Sequence, residues 1–132
     1  MLDMRIRISP PVSNHQLNEL FAIAWENHKP RDFQPIISRS LLYVCAYHDE
    51  QLIGYVNMAW DGGVHAFLLD TTVHASYQRQ GIGVRLVRAA VDAARERGLE
   101  WVHVDYEPHL VEFYRQCGFW TTEAGLINLR AG

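Results

Sequence analysis

Between Ala66 and Asp105 the chain passes from an apolar strand through a glycine-containing loop into a long amphipathic helix, then into a second strand. That succession constrains the fold more than any other feature. Ala66 to Val73 is the first strand, and Gln78-Arg79-Gln80-Gly81-Ile82-Gly83 is the loop. Gly83, Leu86, Val87, Ala90, Ala93 and Ala94 then fall on one helical face, with Arg85, Arg88, Asp92, Arg95 and Glu96 on another. Gly98 is placed to end the helix, and Trp101 to Asp105 is the second strand. A strand, helix, strand unit of this kind most often forms a right-handed parallel crossover.

The loop is also a chemical signal. Glycine lets a backbone turn tightly and approach a ligand, and the first N–H groups of the following helix lack intrahelical partners and carry the positive end of the helix dipole. An anion, and a phosphate in particular, is its natural occupant. A nucleotide-hydrolysing Walker loop needs a Lys-Ser/Thr pair at its end, whereas Val84-Arg85 follows Gly83 here. A dinucleotide fold wants a small residue where Leu86 stands and a fully parallel sheet.

The strands before the loop have an antiparallel pattern instead. Met4 to Ile8 alternates as a strand does and is closed by Pro10-Pro11. Ser13 opens a helix with Gln16 at capping-box spacing, and Leu17, Leu20, Phe21, Ala24 and Trp25 make its apolar face as far as about His28, before Pro30. Pro35 is able to start a short second helix. Leu41 to His48 and Leu52 to Trp60 read as strands joined by a tight turn, and Asp61-Gly62-Gly63 leads into the strand ending at Val73. Beyond the crossover, Glu107-Pro108 begins a helix that Gly118 ends, and Phe119 to Ala124 with Leu126 to Leu129 is expected to form a hairpin around Gly125. The expected fold class is therefore α/β: a mixed sheet, antiparallel in its N-terminal strands, followed by a parallel β-α-β crossover, with helices on both faces.

Size and charge narrow the function classes. At 132 residues and 48% hydrophobic composition the chain is expected to be a single domain, residues 1–132. A net charge of −3 offers no general attraction to nucleic acid or to an anionic membrane, so neither is an expected partner. Nothing in the sequence approaches a bilayer-spanning run, and Met1 to Ser9 mixes charged and apolar residues unlike a signal peptide, so the cytoplasm is the expected compartment. The two cysteines, Cys45 and Cys117, suit buried thiols. Among the seven histidines, His103 lies near Asp105 and His109, but without familiar ligand spacing, and no metal is expected.

The strand Leu68-Leu69-Asp70-Thr71-Thr72-Val73, the Gln78-x-x-Gly81-x-Gly83 loop and the segment Phe113-Tyr114-Arg115-Gln116-Cys117-Gly118-Phe119 together resemble the GNAT superfamily of acyl-coenzyme A-dependent N-acetyltransferases. Element order extends the likeness over nearly the whole chain. The resemblance implies acetyl-coenzyme A as co-substrate, its pyrophosphate held by the loop Gln78, Arg79, Gln80, Gly81, Ile82, Gly83 and Val84. It also implies that the strands on either side of the crossover splay apart, leaving the backbone at Val73 to meet the pantetheine arm. Tyr114 matches the tyrosine that protonates the departing thiolate, a role a neutral hydroxyl can fill.

Asp70 is the first candidate for the base that deprotonates the attacking amine, with Glu107, His109 and Glu112 behind it. By the same resemblance, Trp25 to Ile37 walls the acceptor side, with Trp25, Phe33 and Tyr43 as lining residues. The acceptor is a small-molecule or peptide amine, and a homodimer is favoured by the uncovered sheet edges. A non-catalytic acyl-coenzyme A sensor on the same fold, and a phosphate-ligand domain unrelated to coenzyme A, remain as alternatives.

Overall fold

A computed structural model of the chain describes residues 3–131; Met1 and Leu2, the start of the segment weighed as a leader, lie outside the described residues. Five strands line up in chain order in one sheet: β1 (Arg5–Ile8), β2 (Leu42–His48), β3 (Gln51–Trp60), β4 (His65–Val73) and β5 (Trp101–His103). The first four pair antiparallel, and β5 runs parallel to β4. Helix α1 (Asn14–Ala24) and the short α2 (Gln34–Arg39) lie between β1 and β2 in sequence, α3 (Ile82–Glu96) makes the β4-to-β5 crossover, and α4 (Val111–Gln116) follows β5. The mixed sheet and the crossover are those expected from the sequence pattern.

Burial on both faces explains why β2 and β3 read as nearly continuous apolar runs. Leu42, Val44, Ala46, Val56, Met58, Ala66 and Leu68 pack with Ile82, Leu86, Val87, Ala90 and Ala94 of α3 and with Tyr114 and Cys117 of α4. On the other face Cys45, Tyr47, Leu52 and Tyr55 pack with Leu17, Leu20 and Phe21 of α1 and with Phe33. Both cysteines are free and buried.

The Ser13 capping box forms: the Ser13 hydroxyl accepts from the Gln16 amide at 3.1 Å, and the Gln16 side chain accepts from the Ser13 amide at 3.0 Å. α1 stops at Ala24, short of the expected end near His28, because Trp25 turns extended (φ −121°, ψ 129°) and reaches across to β4. Likewise β5 ends at His103 rather than Asp105. The expected C-terminal hairpin is absent: residues 119–129 carry no strand, and Leu126, Ile127 and Leu129 are 79%, 86% and 91% exposed. A hairpin with no sheet to join is marginal in water, and the neighbouring edge, β5, spans three residues.

Candidate active site

β4 and β5 pair only from His65 to Phe67 against Trp101 to His103. Beyond Phe67, β4 has no strand on that side, so the two splay apart as expected, and the gap opens toward the start of α3. Within it β4 is bulged. Tyr55 of β3 faces Thr72 and Asn57 faces Leu69, so β4 carries one residue more than β3 between those pairs, and Asp70 takes the left-handed conformation (φ 59°). A bulge bends its strand and re-aims side chains. The carboxylate of Asp70 lines a cleft and is 44% exposed. The bulge is clamped by Thr72, whose buried hydroxyl accepts from the Trp25 indole N–H at 3.0 Å and donates to the Asp70 carbonyl at 2.8 Å.

The glycine loop closes the other end of the gap. Gly81 caps α3 in the left-handed region (φ 81°), where a side chain would be strained. The amides of Ile82, Gly83 and Val84 precede the first bond of the helix, Arg85 N–H to the Gly81 carbonyl at 3.1 Å, and no acidic side chain occupies the first turn. Those amides form a row of donors that fits a pyrophosphate. Gln78 donates its side-chain amide to the Val73 carbonyl at 3.1 Å, tying the loop to the end of β4. Two of the loop residues expected at the ligand have packing roles. Ile82 buries its side chain in the core, leaving only its amide to the cradle. At Gly83 an added Cβ would stand 3.0 and 3.1 Å from the Phe113 ring, so its lack of a side chain admits Phe113.

Phe113 precedes Tyr114, and the glycine loop and the aromatic segment thus meet in one packing contact. Tyr114 is buried, its ring stacked on Tyr106 at 4.7 Å and edge-on to Phe113 at 4.8 Å. Burial pushes the Tyr114 pKa above its ordinary value, with the Thr71 side chain pulling the other way. The result is a hydroxyl that stays neutral at neutral pH. The other candidate bases are exposed and engaged elsewhere: Glu107 stands 3.7 Å from His109, and Glu112 pairs with Arg115 at 2.9 Å.

Opposite Tyr114, the α1–α2 loop walls an open cleft of about 410 Å³ lined by Phe21, Trp25, Asn27, His28, Lys29, Arg31 and Asp70. Trp25 lines it as expected, but Phe33 and Tyr43 do not. Phe33 is core, packed at 4.9 Å on Phe21, and Tyr43 turns its hydroxyl to the Pro10 carbonyl. Two asparagines of α1 that the sequence pattern did not single out hold this loop. Asn18 accepts from the Arg31 amide at 3.0 Å, donates to the Arg31 carbonyl at 2.9 Å and bonds the His28 ring at 2.9 Å. Asn14 accepts from the Phe33 amide at 2.9 Å and donates to Asp32 at 2.8 Å. Their sole trace in the sequence is a pair of asparagines four apart near a helix start. The Arg31 guanidinium lies over Phe33 at 4.6 Å and 4.0 Å from the Asp70 carboxylate, a loose pair.

Among the described residues, no three His, Cys, Asp or Glu side chains gather to hold a metal; His65 and His103 meet at 2.8 Å as a pair.

Known proteins agree with this geometry. Residues 13–119 match the acetyltransferase (GNAT) family. An uncharacterised N-acetyltransferase ycf52-like protein of Prochlorococcus marinus is 29% identical over 108 residues, covering 79% of this chain and 59% of its own length. A crystal structure of a putative acetyltransferase from Deinococcus radiodurans superposes with a TM-score of 0.81 at 24% identity, covering 98% of this chain and 90% of that one. The aminoglycoside N-acetyltransferase AAC(6')-Iy, solved in complex with CoA, has the same fold, with a TM-score of 0.76 at 18% identity and coverage of 96% and 93%. The chain spans about 59% of the length of the Prochlorococcus relative. With a family match over most of its residues, a splayed β4–β5 pair and a glycine cradle at the start of α3, this chain belongs to the GNAT acetyltransferase family.

Proposed function

We propose that the chain is an acetyl-coenzyme A-dependent N-acetyltransferase that passes an acetyl group from the thioester directly to a primary amine. The observation that carries this is the contact of Gly83 with Phe113, which ties the buried Tyr114 next to it in α4 to the donor row of α3, at the end of a length of β4 that has no partner strand on its β5 side. The amides of Ile82, Gly83 and Val84 hold the pyrophosphate, and the unpaired stretch of β4 up to Val73 aligns the pantetheine arm as an added strand would. Coenzyme A supplies an activated acyl group and a thiol leaving group.

This chain's residues then manage two protons. Asp70 takes one from the attacking amine, directly or through water. Tyr114 delivers one to the departing thiolate as the C–N bond forms and the C–S bond breaks, so amine and thioester become amide and thiol. A neutral tyrosine suits that second step because it holds its proton until negative charge develops on sulfur. Neither free cysteine is required as a nucleophile: Cys117 is buried, and burial pushes its thiol pKa up.

The test is a panel of primary amines with purified protein, reading free thiol released from acetyl-coenzyme A, alongside calorimetry of acetyl-coenzyme A binding. Binding together with amine-dependent thiol release is the expected result. Coenzyme binding with no amine acetylated across a broad panel would replace the enzyme by a non-catalytic acyl-coenzyme A sensor on the same fold. Absence of coenzyme binding would remove both.

A further inference from the structure

The acceptor cleft is unevenly charged. Its lining holds one carboxylate, Asp70, against two permanent cations, Lys29 and Arg31, although the whole chain carries a net −3. Asp70 comes from the bulge of β4, whereas Lys29 and Arg31 come from the α1–α2 loop, with Trp25 and Phe21 in the same wall. The loop's position is fixed, because Asn18 grips both the amide and the carbonyl of Arg31, and the Arg31 guanidinium rests on Phe33 and Phe21 at 4.6 and 5.3 Å.

We infer that the acceptor is a small primary amine that also bears an anionic group, carboxylate or phosphate, with its amine at Asp70 and its anion at Lys29 and Arg31. This rests on the acetyltransferase reading above. Such a molecule pairs every charge in the cleft, whereas a polycationic amine meets two like charges for each opposite one. The two cations also favour the neutral, nucleophilic form of the bound amine, the form that attacks the thioester.

Charge-matched pairs of substrates test it: phosphoethanolamine against ethanolamine, glucosamine 6-phosphate against glucosamine, glycine against glycinamide, with spermidine and sisomicin as polycations. The expected result is a preference in kcat/KM of about tenfold or more for the anionic member of at least one pair, the two kinds of anion being told apart by which pair responds. Lys29→Gln and Arg31→Gln should each erase that preference with acetyl-coenzyme A affinity unchanged. Lys29 is exposed and takes no part in packing, so its variant decides the matter if the Arg31 variant does not fold. Thiol release with equal or greater use of neutral or polycationic amines overturns the inference and leaves the acetyltransferase reading standing. If nothing is acetylated, calorimetry of the anionic amines against the acetyl-coenzyme A complex decides, and no binding overturns it. Failure of acetyl-coenzyme A itself to bind removes the underlying reading and the inference with it.

Discussion

Thr72 shows how much of the site depends on one small polar side chain. Its hydroxyl links the Trp25 indole to the carbonyl of Asp70, holding the cleft wall and the left-handed bulge together. Thr72→Val keeps the volume and removes both bonds, leaving a part-buried N–H and carbonyl unpaired. The expected cost is about 1–3 kcal/mol in denaturant unfolding, with a fall in kcat as the bulge relaxes. Tyr114→Phe should behave differently, leaving folding and coenzyme affinity in place while kcat falls about a hundredfold or more. The pH profile separates an acid from a packing aromatic. A folded-state pKa above the ordinary 10.0 means that Tyr114 is protonated throughout the neutral range, and activity is lost only as pH rises through that raised value. The wild type should therefore show no alkaline limb from this residue below pH 10.0, and the Phe variant none at all. An unchanged kcat in Tyr114→Phe would take the residue out of the chemistry.

At the scale of elements, what matters is how closely neighbours approach. α3 and α4 meet at Gly83 and Phe113, so the residue expected to admit a ligand admits an aromatic ring. Gly83→Ala adds a methyl 3.0 Å from that ring. Helix propensity favours the change by about 1 kcal/mol, and overpacking opposes it by about 1–3 kcal/mol. The expected stability change is therefore small, but kcat should drop because displacing Phe113 displaces Tyr114 beside it; a crystal structure or a chemical-shift map of the variant would show the ring move. The α1–α2 loop is held by side chains instead. Asn18→Ala removes three bonds to Arg31 and His28, and should raise acceptor KM with coenzyme affinity unaltered, for a stability cost of about 1–2 kcal/mol. The sequence shows where the Ser13 helix begins, because a cap is a local device. It misplaces the end of that helix, because Trp25 is drawn out of it by a hydroxyl 47 positions away.

Across the whole molecule, the sheet buries ionisable groups that tolerate no charge. Burial raises Cys45 and Tyr47 each to about 12 and pushes Tyr55 up as well. Their unfolded values are near 9.0 for the thiol and 10.0 for the phenols. Above those values the unfolded chain releases protons that the folded chain keeps, so stability is intact below about pH 9 and falls by about 1.4 kcal/mol per pH unit for each such group as pH rises toward 12. Denaturant titrations at stepped pH check this, and Cys45→Ala should delay the onset of the loss. Much of the architecture was legible in the sequence: alternating strands, the capping box, the glycine loop and the amphipathic α3 are set by propensity and periodicity within a few turns of chain. The C-terminal hairpin was not, since Phe119 to Leu129 has strand-like composition but no strand edge long enough to pair with. The site divides the same way. The sequence by itself determined the cradle at Gly81, whose geometry comes from a glycine and the first turn of one helix, and it named Tyr114 and Asp70 as candidates. Only the tertiary structure decided that Asp70 sits on a bulge, that Gly83 admits Phe113, and that Asn18 sets Arg31 in the cleft, because those relations join residues apart in the chain through register, packing and side-chain hydrogen bonds that no local pattern encodes.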